Sequence, residues 1–159
     1  MKSKFTFSII GPVVLFLSSS FILAILLFLI VKNPELDPSI LVAILLSLII
    51  WIWIVFGEFR KKLLAITIQH RGIQVVSFLG LGNKKMYLMK EFDGFYTISM
   101  PSRYKTYEYL FLIKNGKRVV TVSEFYHANY LELKAEIKKN SRNLGVQDFN
   151  WSREFRKII

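Results

Sequence analysis

The chain has 159 residues, 53% of them hydrophobic, with a mean hydropathy of +0.39 and a net charge of +11. This composition is too apolar for a disordered protein or an ordinary soluble domain. The absence of cysteine excludes disulfides, thiolate metal ligands and a cysteine nucleophile.

Two long segments near the N-terminus lack any charged side chain: Phe7 to Val31 and Ser39 to Gly57. As helices they would measure roughly 37 and 28 Å, close to the ~30 Å hydrocarbon core of a bilayer. Residues 32–38 between them hold two prolines and two carboxylates, which predict a tight turn outside the bilayer. We therefore predict a transmembrane helical hairpin in residues 1–62, with spans at about 7–31 and 39–57.

The charges that flank the two spans predict their orientation. Lys2 and Lys4 precede the first span and three basic residues follow the second, whereas the turn carries one Lys against two carboxylates. The positive-inside rule then places both termini in the cytoplasm of a multi-pass protein of the cell (inner) membrane. Residues at the inner end of the second span are the expected membrane-interface anchors: Trp51, Trp53, Arg60, Lys61 and Lys62.

Other uses of the apolar segments stay open. Lys2 and Lys4 with the small residues Ser18 to Ser20 would suit a cleaved signal peptide, although the apolar run continues far beyond those serines. Neither span carries an ionisable residue, which disfavours a transporter or a proton relay. The serine hydroxyls leave a pore built from several copies as a minor alternative to an anchoring hairpin.

After Lys62 the hydrophobic pattern changes from helical to a period of two, which is typical of strands. The alternation predicts six antiparallel strands, at residues 64–68, 73–78, 84–89, 95–99, 107–113 and 117–123. Turns are predicted at Gly72, Asp93-Gly94 and Asn115-Gly116. Tyr107, Tyr109 and Phe111 share one face of the fifth strand, and we expect that face to pack into the core.

A helical pattern follows the last strand. Asn129 with Glu132 forms an Asn variant of the capping box, which predicts the start of the helix. Tyr130, Leu133 and Ile137 then recur at the spacing of one apolar helix face.

These elements predict an α+β membrane protein in which the hairpin precedes one small domain. The domain, residues 63–144, is expected to be an antiparallel split barrel of six to seven strands closed by the C-terminal helix. Gly145 is the expected residue just past that helix, and an amphipathic tail occupies residues 145–159.

Part of this pattern resembles the bacterial PH-like (pleckstrin-homology-like) domains. The strand–Gly–strand segment at residues 66–75 resembles their opening, and Glu-Phe-Asp-Gly-Phe at residues 91–95 resembles their turn into the fourth strand. Many members carry two transmembrane helices directly before the domain, so the resemblance covers residues 8–143. It implies a PH-like split barrel and no particular ligand. Phosphoinositide-binding PH domains usually carry several Lys and Arg around the first hairpin, whereas this turn offers only Arg71 beside His70.

Catalytic and metal signatures are weak. His127 lies near Glu124 in sequence, and this pair would carry the acid–base chemistry of a lipid-active enzyme. No nucleophile accompanies the pair, and we expect His127 to shape the entry to the helix instead. Two histidines without cysteine give no metal-ligand spacing, and no glycine-rich loop suits a phosphate. We predict no catalytic residue, no metal and no cofactor.

Positive charge is the most informative feature of the domain. Residues 58–159 contain 19 Lys or Arg against nine Asp or Glu, a net +10. A hairpin would hold this charge near anionic headgroups, which attract each basic residue by roughly 1 kcal/mol. The candidate contacts with lipid or a partner are Arg71, Lys84, Lys85, Arg103, Tyr104 and Lys105.

The tail has a basic amphipathic pattern. Its candidate interfacial residues are Trp151, Arg153, Phe155, Arg156 and Lys157. A short helix of this kind lies in a membrane interface or docks on the domain, and the sequence leaves both open.

We therefore expect a non-enzymatic, membrane-anchored PH-like binding module at the inner leaflet, in contact with a protein partner or anionic phospholipid headgroups. The alternatives are an enzyme or enzyme subunit acting on lipids, and a subunit of an oligomeric membrane complex, including a homo-oligomer. The net charge would permit nucleic-acid binding, but we expect none, because the aromatic face of the fifth strand is assigned to the core.

Overall fold

The computed structural model describes residues 1–32, 38–60, 62–69, 72–102 and 105–149. Helix α1 spans Ile10–Lys32 and follows a short 3-10 turn at Phe7–Ile9, while α2 spans Pro38–Trp53 and continues as a π-helical turn at Ile54–Phe59. Both apolar segments are long enough to cross a membrane, at Phe7–Lys32 and Pro38–Gly57. The two predicted spans are therefore confirmed as helices.

The two long helices pack against each other as a hairpin. The Trp51 indole Nε1 donates a hydrogen bond of 2.9 Å to the Ser20 hydroxyl. The Phe16 ring lies 5.9 Å from the Trp51 ring and 5.3 Å from the Phe59 ring. Trp51 thus takes part in the helix–helix contact, whereas Trp53 is 53% exposed on the outside of the hairpin.

Seven strands and one further helix follow over the described residues. The strands are β1 Ala65–Gln69, β2 Gly72–Val76, β3 Lys84–Leu88, β4 Gly94–Pro101, β5 Thr106–Lys114, β6 Lys117–Ser123 and β7 Asn143–Gln147, and helix α3 spans Tyr130–Asn140. They form a three-stranded sheet in the order β1-β2-β3 and a four-stranded sheet in the order β6-β5-β4-β7. The α+β class is confirmed, but the two sheets do not join into a closed barrel.

The main core lies between the two sheets and α3. Ile66 and Ile73 of the first sheet, Leu110 and Leu112 of β5, and the apolar face of α3 with Tyr130, Leu133 and Ile137 are all buried in it. The period-two and helical patterns place these side chains on one face of each element, and burial alternates along β1 accordingly.

The second sheet buries apolar residues on its other face as well. Tyr96, Ile98, Phe111 and Ile113 form this second cluster, and Tyr109, Met100 and Phe149 pack against it. The aromatic face of β5 therefore belongs to the second cluster, whereas Leu110 and Leu112 face the main core. The predicted burial is confirmed for Phe111, whereas Tyr107 and Tyr109 are only partly buried, and this face is not that of the main core.

Two local predictions at the helix were wrong. Asn129 precedes α3, but its side chain makes no cap hydrogen bond and binds the N-terminal segment instead. Helix α3 ends at Asn140, and β7 follows and pairs in parallel with β4. Gly145 lies inside this strand with φ +95°, not at a helix terminus. The set of six antiparallel strands thus gains a parallel seventh.

The first residues of the chain are built into the domain. Lys2 bridges to Thr67 of β1, and Phe5 bridges to His127. Ser3 donates its backbone N–H to the Ile66 carbonyl at 2.7 Å, and its hydroxyl accepts the Ile66 N–H at 2.9 Å. Because these residues precede α1 and the domain follows α2, both ends of the helical hairpin lie on the side where the domain sits.

Candidate functional site

Two connections lie at the end of the domain that meets the helices, called here the helix-facing end. The connection between β2 and β3, residues 77–83, is held there by a 3.0 Å hydrogen bond from the Leu79 N–H to the Leu63 carbonyl. The connection between β6 and α3 is held by Thr6, whose hydroxyl donates to the Phe125 carbonyl at 2.6 Å. Leu63 follows α2 closely and Thr6 directly precedes the turn into α1, so both connections adjoin the ends of the hairpin.

A groove of about 340 Å³ opens between β3 and β6, with the end of α2 as one wall. Its apolar lining consists of Phe56, Leu64, Val75, Phe78, Tyr87 and Val119. Its polar lining consists of Arg60, Ser77, Asn83 and Lys85, so no acidic side chain is among the described residues that line it. The groove thus combines apolar and polar walls and carries two positively charged side chains.

The two cations come from different elements. Arg60 follows the π-helical turn, where its N–H donates to the Val55 carbonyl at 3.1 Å and its guanidinium carbon lies 5.8 Å from the Phe56 ring centroid. Lys85 pairs in register with Val75, so both side chains are on the face of the first sheet that faces the core. Lys85 lines the groove and is also exposed to solvent, which places it at the groove mouth rather than inside.

Neither lysine at the start of β3 is neutralised by the part of the chain that the structure describes. Lys84 and Lys85 make no ion pair with any described carboxylate. Lys105, by contrast, pairs with Glu124 at 3.0 Å, and Lys134 pairs with Glu108 at 2.7 Å. Among the described candidate contacts, Lys84 and Lys85 therefore keep their charge available for an anion.

His127 is buried, and backbone groups bind its ring nitrogens. It is 1% exposed, and its Nε2 lies 2.9 Å from the Leu64 carbonyl while its Nδ1 accepts the Ser123 N–H at 3.1 Å. This pattern fits the neutral tautomer with the proton on Nε2. Burial lowers the pKa of His127, and its hydrogen bonds to the Leu64 and Ser123 backbone oppose this only in part. The Phe5 ring stacks on the imidazole at 5.8 Å between centroids.

Glu124 is engaged elsewhere. It accepts hydrogen bonds from the Lys105 ammonium at 3.0 Å and from the Glu108 N–H at 3.1 Å. These bonds, with the Lys105 bond the larger cause, lower the pKa of Glu124. His127 and Glu124 thus each have their own partners, and a carboxylate with a lowered pKa is a weak general base.

Several predicted site residues lie outside the described residues: Lys61, Arg71, Arg103, Tyr104, Trp151, Arg153, Phe155, Arg156 and Lys157. Gln69 and Gly72, the paired last residue of β1 and first residue of β2, lie at the end of these strands opposite the hairpin. Lys62 is half-buried beside the groove wall residue Leu64, and Lys105 lies beside Glu124.

Lys85 and Arg60 were each predicted from the sequence, as a candidate contact and a membrane-interface anchor, but the groove that they share was not. The strand pattern held one signal, because Lys85 is in phase with the inward residues Tyr87 and Met89 of the same segment. The other walls, Phe56 and Val119, come from distant parts of the chain, and no local pattern links them.

The chain matches none of the protein-family models, curated proteins or solved structures with which it was compared. Its functional assignment therefore depends on the geometry of the groove and its position beside the hairpin.

Proposed function

We propose that this chain is a non-enzymatic, membrane-anchored binding module that holds an anionic phospholipid at the junction of its hairpin and its domain. The observation that carries the proposal is the groove at the end of α2, where Arg60 and Lys85 line the same space as apolar side chains of the helix end and the first sheet. We place the protein in a bacterial inner membrane with both termini in the cytoplasm, as the flanking charges predict, and we keep the PH-like class as part of the proposal.

The position of the groove favours a lipid over a soluble anion. Phe56 and Arg60 lie at the end of a helix that is long and apolar enough to cross a bilayer. An arginine that directly follows such a segment lies near the level of the headgroup phosphates. A lipid phosphate beside Arg60 would leave its acyl chains against the outer surface of the same helix.

The chemistry of the lining favours an anionic headgroup. Arg60 presents a planar donor set that suits phosphate oxygens, and Lys85 adds a second positive charge from the first sheet. Ser77 and Asn83 supply further polar groups at the same mouth. None of the described lining residues is acidic, so none of them would repel an anion.

The surroundings of His127 favour binding over catalysis. Both ring nitrogens are satisfied by backbone groups, and the side chain is buried between the N-terminal segment and β6. A general base needs a free nitrogen within reach of substrate. We therefore assign His127 to holding the hairpin ends and the domain together.

The test compares two lysines in full-length protein purified in mild detergent. Equal amounts of phosphatidylglycerol and phosphatidylcholine with identical chains are added, and native mass spectrometry measures the ratio of the two adducts. The wild type is expected to prefer the anionic lipid. Lys85→Ala should lower that preference roughly fivefold, because one basic residue near an anionic headgroup contributes about 1 kcal/mol.

Lys117→Ala is the matched control. It removes the same side chain and charge from a position at the β5–β6 hairpin tip that does not line the groove, and the preference should change by less than about twofold. Equal effects of both substitutions would mean that only net charge matters, and the absence of any preference in the wild type would refute the proposal.

A second candidate, binding of a protein partner, is favoured by the outward face of β3. Met86 and Leu88 are 61% and 40% exposed there, on the edge strand of the first sheet. Exposed apolar side chains on an edge strand are a typical site of pairing with another chain. Cross-linking of full-length protein in its membrane should then yield an adduct that Met86→Lys abolishes, and an unchanged adduct pattern would exclude this face.

A further inference from the structure

We infer that the tip of the β2–β3 connection inserts into the bilayer beside the hairpin, with Leu81 as the inserted side chain. The inference rests on the proposed placement of the domain against the membrane and adds a second, uncharged contact to it. Leu81 is 91% exposed, the most exposed large apolar side chain among the described residues.

The connection has the composition of an inserting segment. Residues 77–83, Ser-Phe-Leu-Gly-Leu-Gly-Asn, contain no charged side chain, and Lys84 and Lys85 follow directly. Apolar residues at a tip with lysines at its base suit an interface, where the tip enters the acyl region and the cations stay among the headgroups.

The connection is also ordered around its tip. Its backbone closes on itself through bonds to the Ser77 carbonyl from the N–H groups of Gly80 at 3.1 Å and Gly82 at 2.9 Å. Phe78 and Leu79 both have positive φ values, of 53° and 59°. Residues other than glycine rarely adopt such values. This backbone holds the exposed Leu81 side chain at a fixed place at the end of the connection.

The position of the β2–β3 connection, beside the end of α2, favours the bilayer as the surroundings of its tip. The Leu79 N–H binds the Leu63 carbonyl, so the connection is fastened to the segment that leaves α2. Phe78 lines the groove together with Phe56 and Arg60 of the helix end. The Leu81 tip therefore adjoins the groove in which we place the lipid headgroup.

The absence of cysteine allows a direct test with single spin labels. Leu81→Cys, Lys117→Cys and Trp53→Cys are each labelled in full-length protein and reconstituted into vesicles of phosphatidylcholine and phosphatidylglycerol. Collisions with oxygen, which concentrates in lipid, are compared with collisions with a water-soluble nickel chelate. All three positions are exposed on the surface of the chain, so the substitutions should leave the fold intact.

The inference predicts that oxygen collisions dominate at positions 53 and 81 and nickel collisions dominate at position 117. If position 53 is in lipid while position 81 matches position 117, the insertion is refuted and the groove proposal stands. If position 53 is also in water, the membrane placement fails, and the insertion fails with it.

Discussion

A single histidine connects three separate parts of the chain. The His127 ring contacts the Leu64 carbonyl after α2, the Ser123 backbone at the end of β6 and the Phe5 ring before α1. Removing one partner of a buried hydrogen bond destabilises a protein by more than the net contribution of that bond, because the remaining polar group stays buried without a partner. We therefore regard His127 as the residue that couples the hairpin to the domain.

The protonation of His127 should make stability depend on pH. Burial lowers its pKa in the folded state, so between that value and the ordinary pKa of about 6.5 the unfolded chain binds more protons. Its contribution is therefore complete above pH ~6.5 and is lost as the pH falls through the range below it, by up to about 1.4 kcal/mol per pH unit. Thermal unfolding of the full chain in detergent, followed by circular dichroism across this range, measures the slope.

His127→Gln should lower stability by about 1–3 kcal/mol at neutral pH and flatten that slope, since glutamine carries no titrating group. His70→Gln, which removes the other histidine of the chain, is the control and should leave the slope in place. A slope that survives in His127→Gln would show that another group causes it.

At the scale of elements, the N-terminal segment acts as an additional short strand along β1. Besides the Ser3 and Ile66 bonds, the Met1 carbonyl accepts the Ile68 N–H at 2.7 Å. The Asn129 side chain joins this segment to the start of α3, since it donates to the Lys2 carbonyl at 3.0 Å and accepts the Lys4 N–H at 2.8 Å. The domain thus includes residues that precede the hairpin.

Asn129→Ala should lower the free energy of unfolding by about 1–3 kcal/mol, because it leaves a backbone donor and an acceptor of the N-terminal segment without partners. Asn140→Ala, at the exposed end of α3, removes the same side chain where water replaces its bonds, and a much smaller loss is expected. Chemical unfolding of both full-length variants measures the two losses in the free energy of unfolding. Equal losses would mean that the segment adds nothing to the fold.

The attachment of β7 depends on a glycine. A Cβ at Gly94 would lie 2.5 Å from the Arg142 carbonyl oxygen and 2.8 Å from the Leu144 Cγ, so Gly94→Ala should push β7 away from β4. Gly116→Ala meets open space and carries only the cost of a positive φ, about 1–2 kcal/mol. Gly94→Ala should therefore lower the unfolding midpoint clearly more than Gly116→Ala, and similar midpoints would contradict the steric argument.

At the scale of the whole molecule, the elements that could be predicted from the sequence are those that a local residue pattern encodes. Uncharged runs marked both long helices, and alternation located six strands within a few residues of their observed bounds. β7 was missed because Asn143–Gln147 is short, contains Gly145 and pairs in parallel with β4, which is distant in sequence. The N-terminal pairing was missed because Met1–Thr6 is short and its two lysines were assigned to the charged flank of the first span.

The candidate site was predicted only in part. Charge density pointed to Lys84, Lys85 and the basic end of α2, because clusters of lysine and arginine are visible in one dimension. The groove was not visible, since its walls come from α2, the first sheet and β6, and only the packing of two sheets around a helix end brings them together. Pairing of Lys105 with Glu124 also removed one candidate that charge alone favoured.

The most direct test of the central claim maps where an anionic lipid lies on the full-length protein. A phosphatidylglycerol with a photoreactive headgroup is incorporated into vesicles with the protein, and the cross-linked peptides are identified after digestion. The proposed lipid site predicts adducts on residues 56–60 and 77–87, and fewer of them in Lys85→Ala than in Lys117→Ala. Adducts spread evenly over the basic surface of the domain, or confined to other parts of the hairpin, would contradict it.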